Sequence, residues 1–198
     1  GVQGGDGGFV EISGKRNLEL LGAVDVAAPL GSGGGVLLDP EDIVLNTSTQ
    51  ATPPNSANGT PDAAFGDPPA SGALTVQIAD ITGFSELYLQ ATRDITVSNP
   101  LTMAVNNSIR LEANNNITLA AGANIATSGT GSIRFTADAD NSGAGALAMN
   151  NATLSSDVGG IALSGASVSG TGAINSTGGT SGNGGTISIT STVGGVGV

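Results

Sequence analysis

The segment Asp138-Ala139-Asp140-Asn141-Ser142-Gly143 comes nearest to a recognisable chemistry. Oxygen-bearing side chains at alternate positions, followed by glycine, are how a calcium-binding loop opens. Such a loop closes with a bidentate carboxylate at its twelfth position, and here that position holds Met149. The same residues also make an ordinary turn between strands, because Asp, Asn and Gly tolerate tight and left-handed backbone. The turn is the favoured reading. Calcium at Asp138, Asp140 and Ser142 is the single candidate for a cofactor, and none is expected otherwise.

Other clusters offer less. Asp39, Glu41 and Asp42 lie together after an apolar run, as a catalytic carboxylate group or as a solvated corner, and the corner is favoured. A polysaccharide-lyase-like site needs carboxylates that hold calcium around a basic residue that abstracts a proton. The basic residues outside the repeats are Lys15, Arg16 and Arg93, and no cluster of Asp flanks any of them along the chain. With no His and no Cys, nucleophile–base pairs built on them are excluded. Gly31-Ser32-Gly33-Gly34-Gly35 and the glycines of 178–185 lack the following helix and Lys of a phosphate loop, so they read as tight corners. The chain is expected not to be an enzyme.

Composition narrows the partners. Sixteen Asp and Glu against five Lys and Arg give a net charge of −11. That sign repels phosphate backbones and anionic membrane surfaces, so no nucleic-acid partner is expected. No apolar run reaches the roughly 18 residues of a transmembrane helix. Aromatics make up 3% and there is no Trp. A compact globule of 198 residues normally fills its centre with large side chains, so this core must be built of Ala, Val, Ile and Leu in thin layers.

The elements that would position these residues come from a repeat. From residue 85, units begin at Ser85, Ser108, Ser132, Gly160 and Thr186, at spacings of 23, 24, 28 and 26 residues. Each opens with an apolar-x-apolar strand such as Ser108-Ile109-Arg110-Leu111-Glu112-Ala113, and shorter pieces follow, such as Ile95-Thr96-Val97 and Ile117-Thr118-Leu119. Alternation of this kind marks strands with one buried face, and Asn, Gly, Ser or Asp separate them. Three short strands per unit of about 22–28 residues predict an all-β fold, a right-handed parallel β-helix. Successive turns of chain then pair about 4.8 Å apart. Inward columns should hold Leu87, Ile109, Ile133, Ile161 and Ile187, and beside them Leu89, Leu111, Phe135, Leu163 and Ile189. Ile95 over Ile117 and Val97 over Leu119 form another face. Tyr88, Arg110, Arg134, Ala162 and Ser188 point outward, with Glu112 placed to relieve the repulsion between the two arginines. Asn106-Asn107 and Asn114-Asn115-Asn116 are candidates for amide ladders at corners.

Residues 8–13, 17–20, 22–26, 35–40 and 42–46 extend the pattern, with Gly35 restarting it 27 residues after Gly8. Residues 47–72, with Pro53, Pro54, Pro61, Pro68 and Pro69, break it and read as a loop thrown out from one corner. Leu74-Thr75-Val76-Gln77-Ile78 then rejoins the stack. The whole chain, 1–198, is read as a single β-helix segment of a larger protein.

Gly4-Gly5-Asp6-Gly7-Gly8-Phe9-Val10-Glu11-Ile12-Ser13, Val24-Asp25 and Leu37-Leu38-Asp39-Pro40-Glu41-Asp42-Ile43 resemble filamentous-haemagglutinin-like exoproteins. Leu89-Gln90-Ala91-Thr92-Arg93-Asp94-Ile95-Thr96-Val97 is similar to their repeat. The resemblance implies two-partner secretion through an outer-membrane pore, and a β-helical shaft acting in adhesion, aggregation or cell contact. It also implies a secreted or bacterial cell-surface location, and a host, neighbouring-cell or polysaccharide surface as partner. The family's amino-terminal secretion domain is not evident, which places this stretch downstream of it. Two alternatives stand beside the shaft: a carbohydrate-active β-helix enzyme, and a ligand-binding module using the 47–72 loop. Exposed end strands also allow end-to-end self-association.

Overall fold

The computed structural model describes residues 4–14, 18, 24–47, 73–78, 81 and 84–198. Lys15, Arg16, nearly all of the 47–72 loop and most of the strand expected at 17–20 lie outside the described residues. The fold is all-β, and every strand pairing is parallel. The fold has 3-10 turns at Gly179–Ser181 and at Ile78.

The strands fall into two sheets. The first holds β1 (Phe9–Ser13), β2 (Gly35–Asp39), β5 (Glu86–Ala91), β8 (Ser108–Ala113), β11 (Ile133–Thr136), β13 (Ile161–Gly165) and β15 (Ile187–Ser191), in that order. The second runs β4 (Ala73–Gln77), β3 (Asp42–Asn46), β6 (Ile95–Val97), β9 (Ile117–Leu119), β12 (Ala146–Ser156), β14 (Ser167–Ser176) and β16 (Val196–Gly197). The short strands β7 (Leu101–Thr102) and β10 (Ile125–Ala126) pair with each other, and β10 also pairs with the end of β12. Apart from the successive β3 and β4, the chain passes back and forth between the sheets, and strands are laid against their counterparts one unit away.

The inward columns follow from the alternation. Val36, Leu87, Ile109, Ile133, Ile161 and Ile187 stand in register. So do Leu38, Leu89, Leu111, Phe135, Leu163 and Ile189. In the second sheet Ile43, Ile95, Ile117 and Leu147 align, as do Leu45, Val97, Leu119 and Met149. These side chains form one continuous core, except at β15, where Ile189 is only partly buried and Ile187 is exposed. Each fully buried aliphatic contributes about 1.5–3 kcal/mol, which offsets the scarcity of aromatics.

The register differs from the repeat boundaries by one residue in two places. Ser108 stands opposite Glu86 instead of Ser85, and Gly35 opposite Phe9 instead of Gly8. Buried columns set the register, because a slip by one residue would turn every side chain to the other face. Matching Ser and Gly letters at the corners carry no such penalty.

Two further expectations change. Residues 24–26 form no strand: Asp25 Oδ1 accepts the Ala27 N–H at 2.9 Å in a local turn, while Val26 is still buried. Three short strands occur in β5–β6–β7 and β8–β9–β10, but in the following units the second and third pieces merge into β12 and β14. β12 pairs with β9 through Leu147–Met149 and with β10 through Leu154 and Ser155. It turns the corner at Asn151, whose φ is 52°, where its register with β14 shifts.

One corner is built from stacked glycines. A methyl group on Gly159 would drive into the Gly131 carbonyl, one on Gly131 into the Asn107 carbonyl, and one on Gly185 into the Gly159 carbonyl. Gly159→Ala is expected to cost about 1–3 kcal/mol by forcing two backbones apart. Gly195→Ala, with nothing near its added methyl, should leave the melting temperature unchanged. Equal melting temperatures for the two variants would contradict the close approach.

Candidate functional site

Charged groups gather at the corner where β2 turns into β3 and β5 into β6. Asp42 opens β3 and is buried at 8% exposure. Arg93, 51 residues later, donates from Nε to Asp42 Oδ1 at 2.9 Å and pairs through Nη2 with Asp42 Oδ2. Its Nη1 reaches Glu41 Oε1 at 3.2 Å, and Asp94 Oδ2 lies 3.7 Å from its Nε. The backbone makes this meeting possible: Arg93 N–H donates to the Glu41 carbonyl at 2.8 Å and Thr92 N–H to the Pro40 carbonyl at 3.1 Å. Arg93, whose one neighbouring carboxylate along the chain is Asp94, therefore sits among three carboxylates in space.

From this corner a ladder of side-chain acceptors climbs the stack. Asp42 Oδ1 accepts the Asp94 N–H at 3.1 Å, Asp94 Oδ1 the Asn116 N–H at 2.9 Å, and Asn116 Oδ1 the Ala146 N–H at 2.9 Å. Asn115 adds a bond from Nδ2 to Asp94 Oδ1 at 2.8 Å. The amide ladder expected at 114–116 is thus a mixed Asp/Asn ladder running from side chain to backbone. Asn106 does similar work one corner on, accepting the Thr130 N–H at 3.1 Å. Bonded in this way, the carboxylates and amides satisfy corner N–H groups that the strand ladder misses.

The Asp138 loop is organised by the same means. Asp138 is 5% exposed with φ 55°, and its Oδ1 accepts the Ser142 hydroxyl and the Gly143 N–H, each at 2.9 Å. Asp140 Oδ1 accepts the Ser142 N–H at 3.1 Å. Burial pushes the Asp138 carboxyl up, but bonds from Ser142 and from the backbone of Gly143, Gly145 and Ala144 outweigh it and hold the group below 3.8. Asp138, Asp140 and Ser142 are brought together, with their oxygens turned onto the loop's own donors. Among the described residues no group of three or more His, Cys, Asp or Glu is arranged to hold a metal ion.

The outer face of the first sheet carries a further charged cluster. The Arg110 guanidinium lies over the Tyr88 ring, 4.3 Å from its centroid, and pairs with Glu112. The Tyr88 hydroxyl donates to Glu112 as well. Burial first, then the bond to the Glu112 carboxylate, pushes the Tyr88 hydroxyl up to about 12. Glu112 pairs with Arg110 and also anchors the tyrosine.

Asp39 departs from this order of satisfied groups. Its Oδ1 is buried without a hydrogen-bond partner, and burial, then the nearby Glu11 charge, raises its pKa above 3.8. The native state therefore holds this proton more tightly than the unfolded chain does. Stability tied to Asp39 rises as pH falls through the raised pKa and is missing at neutral pH. Asp39→Asn is expected to raise the melting temperature at pH 7 by about 1–2 °C and to remove that part of the acid stabilisation. Parallel melts at pH 7 and pH 4.5 check both, and a lower melting temperature at pH 7 would contradict the cost assigned to the charge.

No family model, curated protein or solved structure matches the chain.

Proposed function

We propose that the chain is a stretch of right-handed parallel β-helix serving as the structural shaft of a large secreted or surface-displayed bacterial exoprotein in adhesion, aggregation or cell contact. The observation that carries this reading is the register of the inward columns. Six aliphatic side chains from Val36 to Ile187 align across successive parallel strands in one unbroken sheet. A stack in which each unit needs only its neighbours is suited to giving length. The sequence resemblance supplies the exoprotein context, with export through an outer-membrane pore and a cell or polysaccharide surface as partner.

Small-angle X-ray scattering with far-UV circular dichroism tests the shaft. An elongated profile with a β-rich spectrum is the expected result, and a compact profile overturns it.

The Arg93 corner favours one second reading, a carbohydrate-active β-helix enzyme, because it places a basic residue among Glu41, Asp42 and Asp94. Turnover of an acidic polysaccharide, with or without calcium, that is lost in Arg93→Ala would replace the shaft reading with this one.

A further inference from the structure

β2 ends on Asp39, and the residue that follows is Pro40. An aspartate side chain commonly cyclises onto the peptide nitrogen after it, displacing the N–H proton. Proline has no N–H, so that route is closed here. The route left open is attack of the carboxyl on its own main-chain carbonyl carbon, which forms a cyclic anhydride. Proline then departs as a strongly basic secondary amine, a better leaving group than other residues provide.

The fold prepares each partner in this reaction. Asp39 Oδ1 is buried with no hydrogen-bond partner, whereas Asp42, Asp94 and Asp138 each accept a backbone N–H. The Asp39 carbonyl oxygen accepts the Gly14 N–H at 3.0 Å. A donor in that place polarises the carbonyl under attack and steadies the negative charge that develops on its oxygen. Pro40 is buried, and its carbonyl accepts the Thr92 N–H at 3.1 Å. The bond between the two residues is thus held from both sides, by β1 and β5 against β2 and by Thr92 against Pro40.

We propose that Asp39-Pro40 is a self-cleavage site, at which the Asp39 side chain severs its own peptide bond to proline. Oδ1 of the neutral carboxyl adds to the Asp39 carbonyl carbon, and the carbonyl oxygen takes the charge beside the Gly14 N–H. As that oxyanion collapses, the C–N bond to Pro40 breaks and the carboxyl proton passes to the proline nitrogen. Water opens the anhydride and leaves Asp39 with two carboxyl groups. Nothing is oxidised or reduced, and water is the sole co-reactant. Glu11 on β1 and Tyr88 on β5 are the titratable groups coupled to Asp39, while Glu41 and Asp42 are turned to Arg93. Burial, then the Glu11 charge, holds the carboxyl above 3.8, so the protonated form persists into milder acid than in an unfolded chain. The cut falls at the corner between β2 and β3. β2 stays paired with β1 and β5, so both pieces remain in one stack until they are denatured. The chemistry is independent of whether the stack serves as a shaft.

Incubation of the purified 198-residue chain at pH 7 and pH 4.5, followed by denaturing mass spectrometry, tests the proposal. A new amino terminus at Pro40 is expected, forming faster at pH 4.5. Mass distinguishes this cut from one at Asp67-Pro68, which lies outside the described residues. At pH 4.5 the folded chain should cleave at Pro40 about tenfold or more faster than the chain unfolded in urea, because only the fold places the carboxyl and the Gly14 donor. Asp39→Asn and Pro40→Ala should each abolish the acid cut at this bond. No cleavage at pH 4.5 overturns the proposal. Equal rates in the folded and unfolded chains overturn it too, since the bond would then show only ordinary acid lability. Cleavage that persists in Asp39→Asn overturns it as well, because the side chain would not be the nucleophile.

Discussion

Ile109→Asp is expected to lower the melting temperature by more than about 10 °C, or to leave no folded population at all. Ile109 is 1% exposed, between Leu87 and Ile133 in a column of aliphatic side chains. A carboxylate placed there meets no donor from its column neighbours. An unpartnered charge in such a site costs about 4 kcal/mol or more, a large part of a total stability of about 5–15 kcal/mol. Burial raises the pKa of the inserted carboxyl, so the damage is greatest at neutral pH and eases as pH falls through that raised value. Melts followed by circular dichroism at pH 7 and pH 4.5 read both the loss and its partial recovery. Ala162→Asp is the control. It puts the same charge on the outer face, beside Arg134, and should change stability by less than about 0.5 kcal/mol. Equal effects of the two variants would show that the inward and outward columns are wrongly assigned.

Phe135→Ala should cost about 3–5 kcal/mol. Phe135 is fully buried and aligned between Leu111 and Leu163. Its ring is the largest of the fully buried side chains, and Phe84 is the other aromatic in a core that is otherwise aliphatic apart from two methionines. Truncation leaves a cavity that two stacked sheets cannot close, since each strand is held by hydrogen bonds to the strands on either side. Urea unfolding should show a lower midpoint with an unchanged slope. Phe135→Leu, which matches its column neighbours, should recover most of the loss. A Phe135→Ala midpoint equal to that of the parent chain would contradict the burial of the ring.

The strand faces were legible in the residues themselves. The alternation Ile109-Arg110-Leu111 and Ile133-Arg134-Phe135 sets which side chains are buried, and the structure pairs the same columns. The Tyr88–Arg110–Arg134 outward column was legible for the same reason, as was the place of Glu112 beside it. Corners were less legible. A match between Ser85 and Ser108 looked like a repeat boundary, yet polar corner residues carry no burial penalty to fix their register. The merging of two strand pieces in β12 depends on the left-handed backbone at Asn151, and neighbouring asparagines give no sign of which residue adopts it.

The Arg93 corner lay beyond the reach of local pattern. Glu41 and Asp42 stand 52 and 51 residues away along the chain, across the proline-rich break, and meet Arg93 only because β3 and β6 pair. The side of β3 on which β4 lands is of the same kind. Ala-Leu-Thr-Val-Gln alternates as a strand should and fits either edge of a parallel neighbour equally well. The sequence by itself determined the strand periodicity, the buried columns and the near absence of aromatic core, because these depend on whether each residue prefers water. The tertiary structure alone decided which corners bring charges together and on which edge of β3 the strand β4 pairs. Both depend on contacts between residues far apart in the chain, and a local pattern carries no record of distance in space.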